Sequence, residues 1–271
     1  MAVRGISLIA VDLDGTLLTG QHELAAQGAE LLSHVARKGV RVVPATARNP
    51  GSTSRFCRQL GVQDPMICAN GALVWGSPDG PPWSNWVIPR DVAMELACLA
   101  DANDWQLAVS VDGMTYWRQR PGELVGPRSP TLTVVPTNSD MLVGDPVRIL
   151  AHQPEAIAGL RALCEQRFSQ VCRAEMFLDP AGLPSSLGIF PAQADKGSAL
   201  LLVLERLGID PQQALAIGDN LVDLPMFAVA RLGIAMGNAP DVVKQQATAV
   251  APGNEEEGVA WAIRTYLLRV M

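Results

Sequence analysis

Ile6-Ser7-Leu8-Ile9-Ala10-Val11-Asp12-Leu13-Asp14-Gly15-Thr16-Leu17 is the stretch on which the reading of this chain turns. Residues 6–11 form a short apolar run, the pattern of a strand buried on both faces. Two aspartates and a glycine follow at once. Ligands in open α/β sheets gather outside the carboxyl ends of strands, so this acid pair stands where chemistry is expected. Two carboxylates two residues apart, beside a flexible glycine, suit two roles: one attacks phosphorus while the other handles a proton. A magnesium ion would offset their repulsion and neutralise phosphate charge. Alone, the same Asp-x-Asp reads equally as an acidic turn that caps a strand.

Working outward, the spacing of Leu31, Leu32 and Val35 predicts a helix over residues 24–38, stopped by Gly39. Residues 40–44 read as a second strand, 52–60 as a helix and 66–69 as a third strand. This β-α-β-α-β order implies a parallel sheet with helices on both faces. The rhythm breaks at Gly76-Ser77-Pro78-Asp79-Gly80-Pro81-Pro82, a turn and a candidate boundary. Beyond it, runs at 106–111 and 114–117 flank Asp112-Gly113, a hairpin signal, and helical patterns cover 92–103 and 155–168. The α/β rhythm resumes with a helix over 195–207 ended by Gly208, and a buried strand over 214–217 running into Gly218-Asp219-Asn220. The expectation is a doubly wound α/β core made of residues 1–83 and 186–271, interrupted by an α+β insert at 84–185.

Bulk properties narrow the function. A chain of 271 residues, 48% hydrophobic, builds such a core readily, and a net charge of −6 offers no basic field for nucleic acid or an anionic membrane. No apolar stretch reaches transmembrane length. Cys57, Cys68, Cys98, Cys164 and Cys172 are odd in number and show no Cys-x-x-Cys spacing, so they read as buried free thiols in a reducing cytoplasm.

Three more signals stand at strand ends. Gly218-Asp219-Asn220, with Asp223 four residues after Asp219, supplies acids that could complete a magnesium site with Asp12, or cap the helix near Leu221. Lys196 opens a helix, an unfavourable place for a cation unless it faces carboxylates or a phosphate. Ala45-Thr46-Ala47-Arg48 follows the second strand, where a hydroxyl and backbone N–H groups cradle phosphate or cap a helix.

The ordered set of acid pair, Thr, Lys and acid pair resembles the haloacid dehalogenase-like phosphatases, and more narrowly the Cof-type subfamily, whose α/β cap is inserted after the third core strand. Asn70-Gly71, Met226 and residues 233–239 also match, so the resemblance spans nearly the whole chain. It implies that Asp12 is the nucleophile of an aspartyl-phosphate and Asp14 the general acid and base. It also implies that Thr46 and Lys196 hold the phosphoryl group, aided by the backbone of Leu13 and Ala47 and by Asn220. The magnesium ligands would come from Asp12, the Asp14 carbonyl, Asp219 and Asp223. Two departures stand out: Ala47 replaces a frequent Gly, and Val222 replaces a frequent Asn.

The resemblance implies a magnesium-dependent phosphatase of small phosphorylated metabolites, sugar phosphates foremost. A phosphomutase and a non-catalytic metabolite-binding protein are the alternatives. In the insert, Trp83, Trp86, Trp105, Tyr116, Trp117, Arg118 and Arg120 either face a substrate or pack and solvate the cap. Arg48 reads as a substrate contact or a structural ion pair, and His22, His34 and His152 as surface or structural residues.

Overall fold

The computed structural model describes residues 5–119, 132–178 and 183–268. The first part of the chain runs β1 (Leu8–Val11), α1 (Ala26–Ala36), β2 (Arg41–Pro44), α2 (Pro50–Leu60), β3 (Met66–Cys68), β4 (Leu73–Trp75) and β5 (Pro82–Asn85). The middle runs α3 (Arg90–Ala102), β6 (Leu107–Val111), β7 (Met114–Arg118), β8 (Leu132–Val135), β9 (Arg148–Ala151), α4 (Pro154–Arg167), β10 (Cys172–Leu178) and β11 (Pro184–Pro191). The last part runs α5 (Lys196–Leu207), β12 (Ala214–Gly218), α6 (Leu224–Val229), β13 (Leu232–Ala235), α7 (Asp241–Lys244), β14 (Ala249–Val250) and α8 (Gly258–Tyr266). Two compact units result: Met1–Ser84 with Asp195–Met271, and Asn85–Ala194.

The first unit is built on a parallel sheet in the order β14-β13-β12-β1-β2. Every residue of β1 and β12 is buried, which is why both read as unbroken apolar runs. Strand order reverses between β1 and β12: β2 lies outward on one side, β13 and β14 on the other. The loops leaving β1 and β12 therefore diverge from a switch point, the place where an open α/β sheet forms its crevice. The third strand joins β2 in the expected parallel sense, but by a single bridge, Ala45–Ile67. β3 pairs antiparallel with β4, so its hydrogen bonds go mainly to a hairpin of its own. The Gly76–Pro82 cluster is the turn between β4 and β5, with Gly76 N–H donating to the Pro81 carbonyl.

Helix α1 begins without a side-chain cap at Ala25. The Glu257 carboxylate caps it from the other end of the chain, accepting from Gln27 N–H at 3.0 Å and Gly28 N–H at 2.9 Å.

The second unit is a mixed sheet in the order β10-β11-β9-β6-β7-β8, antiparallel throughout except for β7 and β8. Asp112 and Gly113 both take positive φ, 49° and 80°, as a tight hairpin turn with right-handed strand twist requires. Leu96, Ala97 and Ala100 of α3 and Ile157, Leu160 and Cys164 of α4 share one core with Leu107, Val109, Ile149 and Ile189 of the sheet. The chain returns to the first unit at Asp195, later than 186, because β11 still pairs with β9 and β10. Trp83 belongs to the first unit, where the Arg206 guanidinium lies 5.2 Å from its ring centroid.

The expectation of buried thiols needs one correction: Cys98 is exposed, while Cys57, Cys68, Cys164 and Cys172 are buried. Among the described residues, no helix is long and apolar enough to cross a membrane.

Asp101 closes the end of the insert. Its carboxylate accepts from Asn138 N–H and Nδ2 at 2.8 Å each, and from Ser139 N–H at 3.1 Å and Oγ at 2.7 Å. Burial works to raise its pKa, but these donors outweigh it and hold the carboxyl below the usual range. The contribution to stability is then complete above the unfolded value, about pH 4, and fades as pH falls through the lower folded value. Asp101→Asn, which sets an amide NH2 against these donors, should destabilise at pH 7 by about 1–2 kcal/mol. It should also flatten the acid limb of the stability profile, measured by urea unfolding between pH 2 and 7.

Candidate active site

Strand β1 carries the acid loop directly into the switch point. Asp12 N–H donates to the Ile217 carbonyl at 2.9 Å, extending the β1–β12 pairing by one residue. The loop then closes on itself, with the Leu13 carbonyl accepting from Thr16 N–H at 3.2 Å and Leu18 N–H at 2.8 Å. Gly15 sits at its apex with φ of 78°. A Cβ there would lie 2.3 Å from Asp219 Oδ2, so only glycine lets the two acidic loops meet.

Lys196 is the first residue of α5, and Asp195 caps that helix by accepting Ser198 N–H at 2.7 Å. The Lys196 side chain is 1% exposed and donates to Asp12 Oδ1 at 2.7 Å and Asp223 Oδ1 at 2.6 Å. Its place at a helix N-terminus, unfavourable in isolation, is offset by these two carboxylates. A second close approach brings α5 here: a Cβ on Gly71, φ 96°, would lie 2.2 Å from the Asp195 carbonyl. Gly71 follows Ala69 and Asn70, both with positive φ, in the turn that leaves β3. That turn hangs from the Thr46 loop through Ala69 N–H to the Arg48 carbonyl at 2.9 Å and Asn70 N–H to the Thr46 carbonyl at 3.0 Å.

Asp223 is fully buried, and its other oxygen accepts the N–H groups of Asp219 and Asn220, each at 2.9 Å. Asp219 Oδ1 accepts from the Thr16 hydroxyl at 3.2 Å. Oxygen atoms of Asp12, Asp219 and Asp223 lie within 4.8 Å of one another, a group able to hold a metal ion. Burial first, then the Asp223 charge, pushes Asp219 up to about 7. Burial likewise raises Asp12; Lys196 opposes this, while Asp223 and Asp219 reinforce it. Lys196 itself is raised, since Asp12 and Asp223 outweigh its desolvation. Three carboxylates thus face one ammonium, and the surplus of two negative charges matches a divalent cation.

The Asp14 carboxylate turns elsewhere. Arg48 grips it with two hydrogen bonds, Nε to Oδ2 at 2.7 Å and Nη2 to Oδ1 at 2.5 Å. His22 Nδ1 lies 3.3 Å from the same Oδ1. Burial would raise Asp14, but the hydrogen bonds and charge of Arg48, with His22 adding, hold it below the usual carboxylate range. The two aspartates of one motif therefore occupy opposite environments.

Thr46 is fully buried, and its Oγ1 accepts Arg48 N–H at 3.2 Å. Leu13 is buried, and Ala47 is absent from the residues with positive φ, so alanine is unstrained there. Asn220 is exposed at the edge, its side chain tied to Leu221 N–H at 2.7 Å. In the insert, Arg118 pairs with Asp104 at 2.6 Å and donates to the Trp105 carbonyl at 2.9 Å, a corner brace rather than a group free for substrate. Tyr116 packs on the helix-side core. Trp117 is 37% exposed and stacks on His152 with ring centroids 6.2 Å apart. Arg120 lies outside the described residues. Sequence reasoning gave His22 no part at the site and attached no role to Asn238, whose Nδ2 donates to the Gly15 carbonyl at 2.9 Å. Neither shows a local signal, because their partners are distant in the chain.

Comparison with known proteins identifies the family. The family model described as haloacid dehalogenase-like hydrolase matches residues 9–263. A Bacillus subtilis relative, 5-amino-6-(5-phospho-D-ribitylamino)uracil phosphatase YcsE, is 28% identical over 97% of this chain and 96% of its own. The pyridoxal phosphate phosphatase YbhA of Escherichia coli is 25% identical over 96% of this chain and 98% of its own. A crystal structure from Thermotoga maritima superposes with a TM-score of 0.80 at 27% identity, covering 96% of this chain and 97% of that one.

Gly15→Ala tests the meeting of the loops. The added methyl collides with Asp219 and must adopt positive φ, so turnover should fall roughly 10- to 100-fold, as for an ångström-scale displacement of reacting groups. Steady-state phosphate release, with circular dichroism to verify folding, is the measurement.

Proposed function

Because this chain belongs to the haloacid dehalogenase-like hydrolases and is a phosphatase of small phosphomonoesters, we propose that it works through an aspartyl-phosphate on Asp12, with magnesium held by the neighbouring acids. The observation that carries this reading is the Lys196 ammonium bridging Asp12 and Asp223 beside Asp219. In it, an oxygen of Asp12 attacks phosphorus and the ester oxygen leaves. Asp14, once its pair with Arg48 opens and it takes up a proton, gives that proton to the leaving oxygen and afterwards takes one from the water that hydrolyses the intermediate. Lys196, Thr46 and the loop N–H groups of Leu13 and Ala47 hold the phosphoryl oxygens. Catalysis of this transfer is mainly positioning and charge stabilisation, and these side chains are fixed before substrate arrives. Magnesium, when bound, would supply charge neutralisation to the phosphate.

In this reading Asp12, Asp219 and the Asp14 carbonyl would be the direct ligands. Asp223 serves mainly by support, since one oxygen is engaged by Lys196 and the other by two N–H groups. Position 222 is not needed to anchor the lysine: Lys196 already has Asp12 and Asp223, so Val222 is compatible with activity.

For substrate we propose a phosphate ester on a sugar or polyol chain. Support comes from the relative named for a phosphoribityl substrate.

Phosphate release from a panel of sugar, polyol and vitamin phosphates, with and without magnesium, tests the proposal. Asp12→Asn removes the nucleophile at nearly constant volume and should leave less than about a thousandth of wild-type turnover on a folded protein. Excess EDTA should abolish turnover, and added magnesium should restore it. Wild-type rates in either experiment would overturn the mechanism.

A further inference from the structure

The C-terminal part of the chain grips the acid loop at points that the phosphatase chemistry does not use. Asn238 stands in the loop after β13, which is itself locked at both sides. Met236 N–H donates to the Gly218 carbonyl at 2.9 Å, and Gly237 N–H to the Pro252 carbonyl at 3.2 Å. From there Asn238 Nδ2 reaches the Gly15 carbonyl at 2.9 Å and Asp219 Oδ2 at 3.5 Å. Its Oδ1 accepts Asn254 N–H at 3.1 Å, and Asn254 Nδ2 donates to the Leu18 carbonyl at 2.8 Å. The amide orientation of Asn238 is chemically fixed, because its NH2 faces acceptors and its oxygen faces a donor. Two side-chain amides thus bracket Gly15–Leu18, one carbonyl at each end. Glu255 adds Gly20 N–H at 2.6 Å, and Glu257 caps α1 beyond.

We infer that Asn238 and Asn254 are positioning residues: Asn238 holds the Gly15 carbonyl, one residue beyond Asp14, and the Asp219 carboxylate at the mutual spacing that magnesium requires, and Asn254 steadies both Asn238 and the far end of the loop at Leu18. The inference rests on the reading of these acids as a magnesium site. Asn238 bridges the two acidic loops through a neutral donor, its Nδ2 reaching both the Gly15 carbonyl and Asp219 Oδ2. A neutral donor is the appropriate choice here. A cation would compete with the metal for Asp219, and an acid would repel it. Magnesium is demanding of octahedral geometry at short distances, so a loop free to shift by a few tenths of an ångström binds it less well. Groups that orient ligands without touching the ion typically contribute 10- to 100-fold in metal affinity. Glu255 and Glu257 contact the loop too, but beyond Leu18, and they serve the fold rather than the ligands.

The test compares the intact protein with Asn238→Ala, Asn254→Ala and Glu257→Gln. Two readouts are taken over a magnesium chloride titration: the rise in thermal unfolding midpoint without substrate, and phosphate release. Asn238→Ala should raise half-saturating magnesium about tenfold in both, with kcat at saturating magnesium recovered to within about threefold of wild type. Asn254→Ala should shift half-saturation in the same direction by a smaller factor, and carries the test if Asn238→Ala does not fold. Glu257→Gln, which weakens the α1 cap, should lower the unfolding midpoint and leave half-saturation unchanged. Unaltered half-saturation in both asparagine variants would overturn the inference, as would an equal shift in Glu257→Gln, because the strap would then act through stability alone. A wild-type protein without magnesium response in either readout would overturn the metal reading itself, and this inference with it.

Discussion

A single buried ammonium organises the site. Lys196, at 1% exposure, touches Asp12, 184 residues earlier, and Asp223, 27 residues later. Burying those charges separately would be expensive, and removing one member of such a pair typically costs about 3–5 kcal/mol. The triad therefore couples three segments: the end of β1, the start of α5 and the turn after β12. Other features follow from that coupling. Gly71 must lack a side chain for α5 to come close, and Gly15 must lack one for the acidic loops to meet. Strand β12 must lie beside β1, which the interrupted chain achieves by returning at Asp195 after the insert.

How much of this the sequence reveals depends on how local each cause is. The apolar run before Asp12, the glycines after α1 and α5, and the Asp112-Gly113 turn each act within a few residues, and each is legible. The acid pairs, Thr46 and Lys196 are legible because strand ends recur in order along an α/β chain. The structure brings Asp12, Lys196, Asp219 and Asp223 together. What was hidden depends on distant partners. β3 turns from the main sheet to β4 because Asn70 and Gly71 reverse the chain at once. Arg118 is consumed by Asp104, and Asn238 shows its purpose only when Gly15, 223 residues earlier, lies beneath it.

Asp12 and Asp14 show how environment divides identical side chains. They are two positions apart, and it is the turn after β1, with Gly15 at its apex, that sends them to different surroundings. Asp12 enters a dry pocket where burial and other acids raise it and only Lys196 opposes. Asp14 stays at the mouth, 43% exposed, where Arg48 holds it low against burial. Carboxylates driven apart in this way are suited to different roles in one reaction, the buried one as metal-paired nucleophile and the open one in exchange with water and leaving group.

Rigidity at this site comes from hydrogen bonds rather than from apolar packing, because its members are carboxylates and an ammonium that must be paired once buried. Asp219 and Asp12 are held by donors that leave part of each available, Thr16 and Lys196 respectively, while Asp223 is engaged at both oxygens. Such a network tolerates change where a contact is duplicated and fails where it is single. Val222 falls in the first class, because Lys196 keeps two carboxylates without it. Gly15 falls in the second, since its positive φ and its contact with the Asp219 carboxylate leave no place for a Cβ. The same distinction separates the strap from the site it supports: Glu255 and Glu257 share the anchoring of the segment after Leu18, whereas the Gly15 carbonyl depends on Asn238.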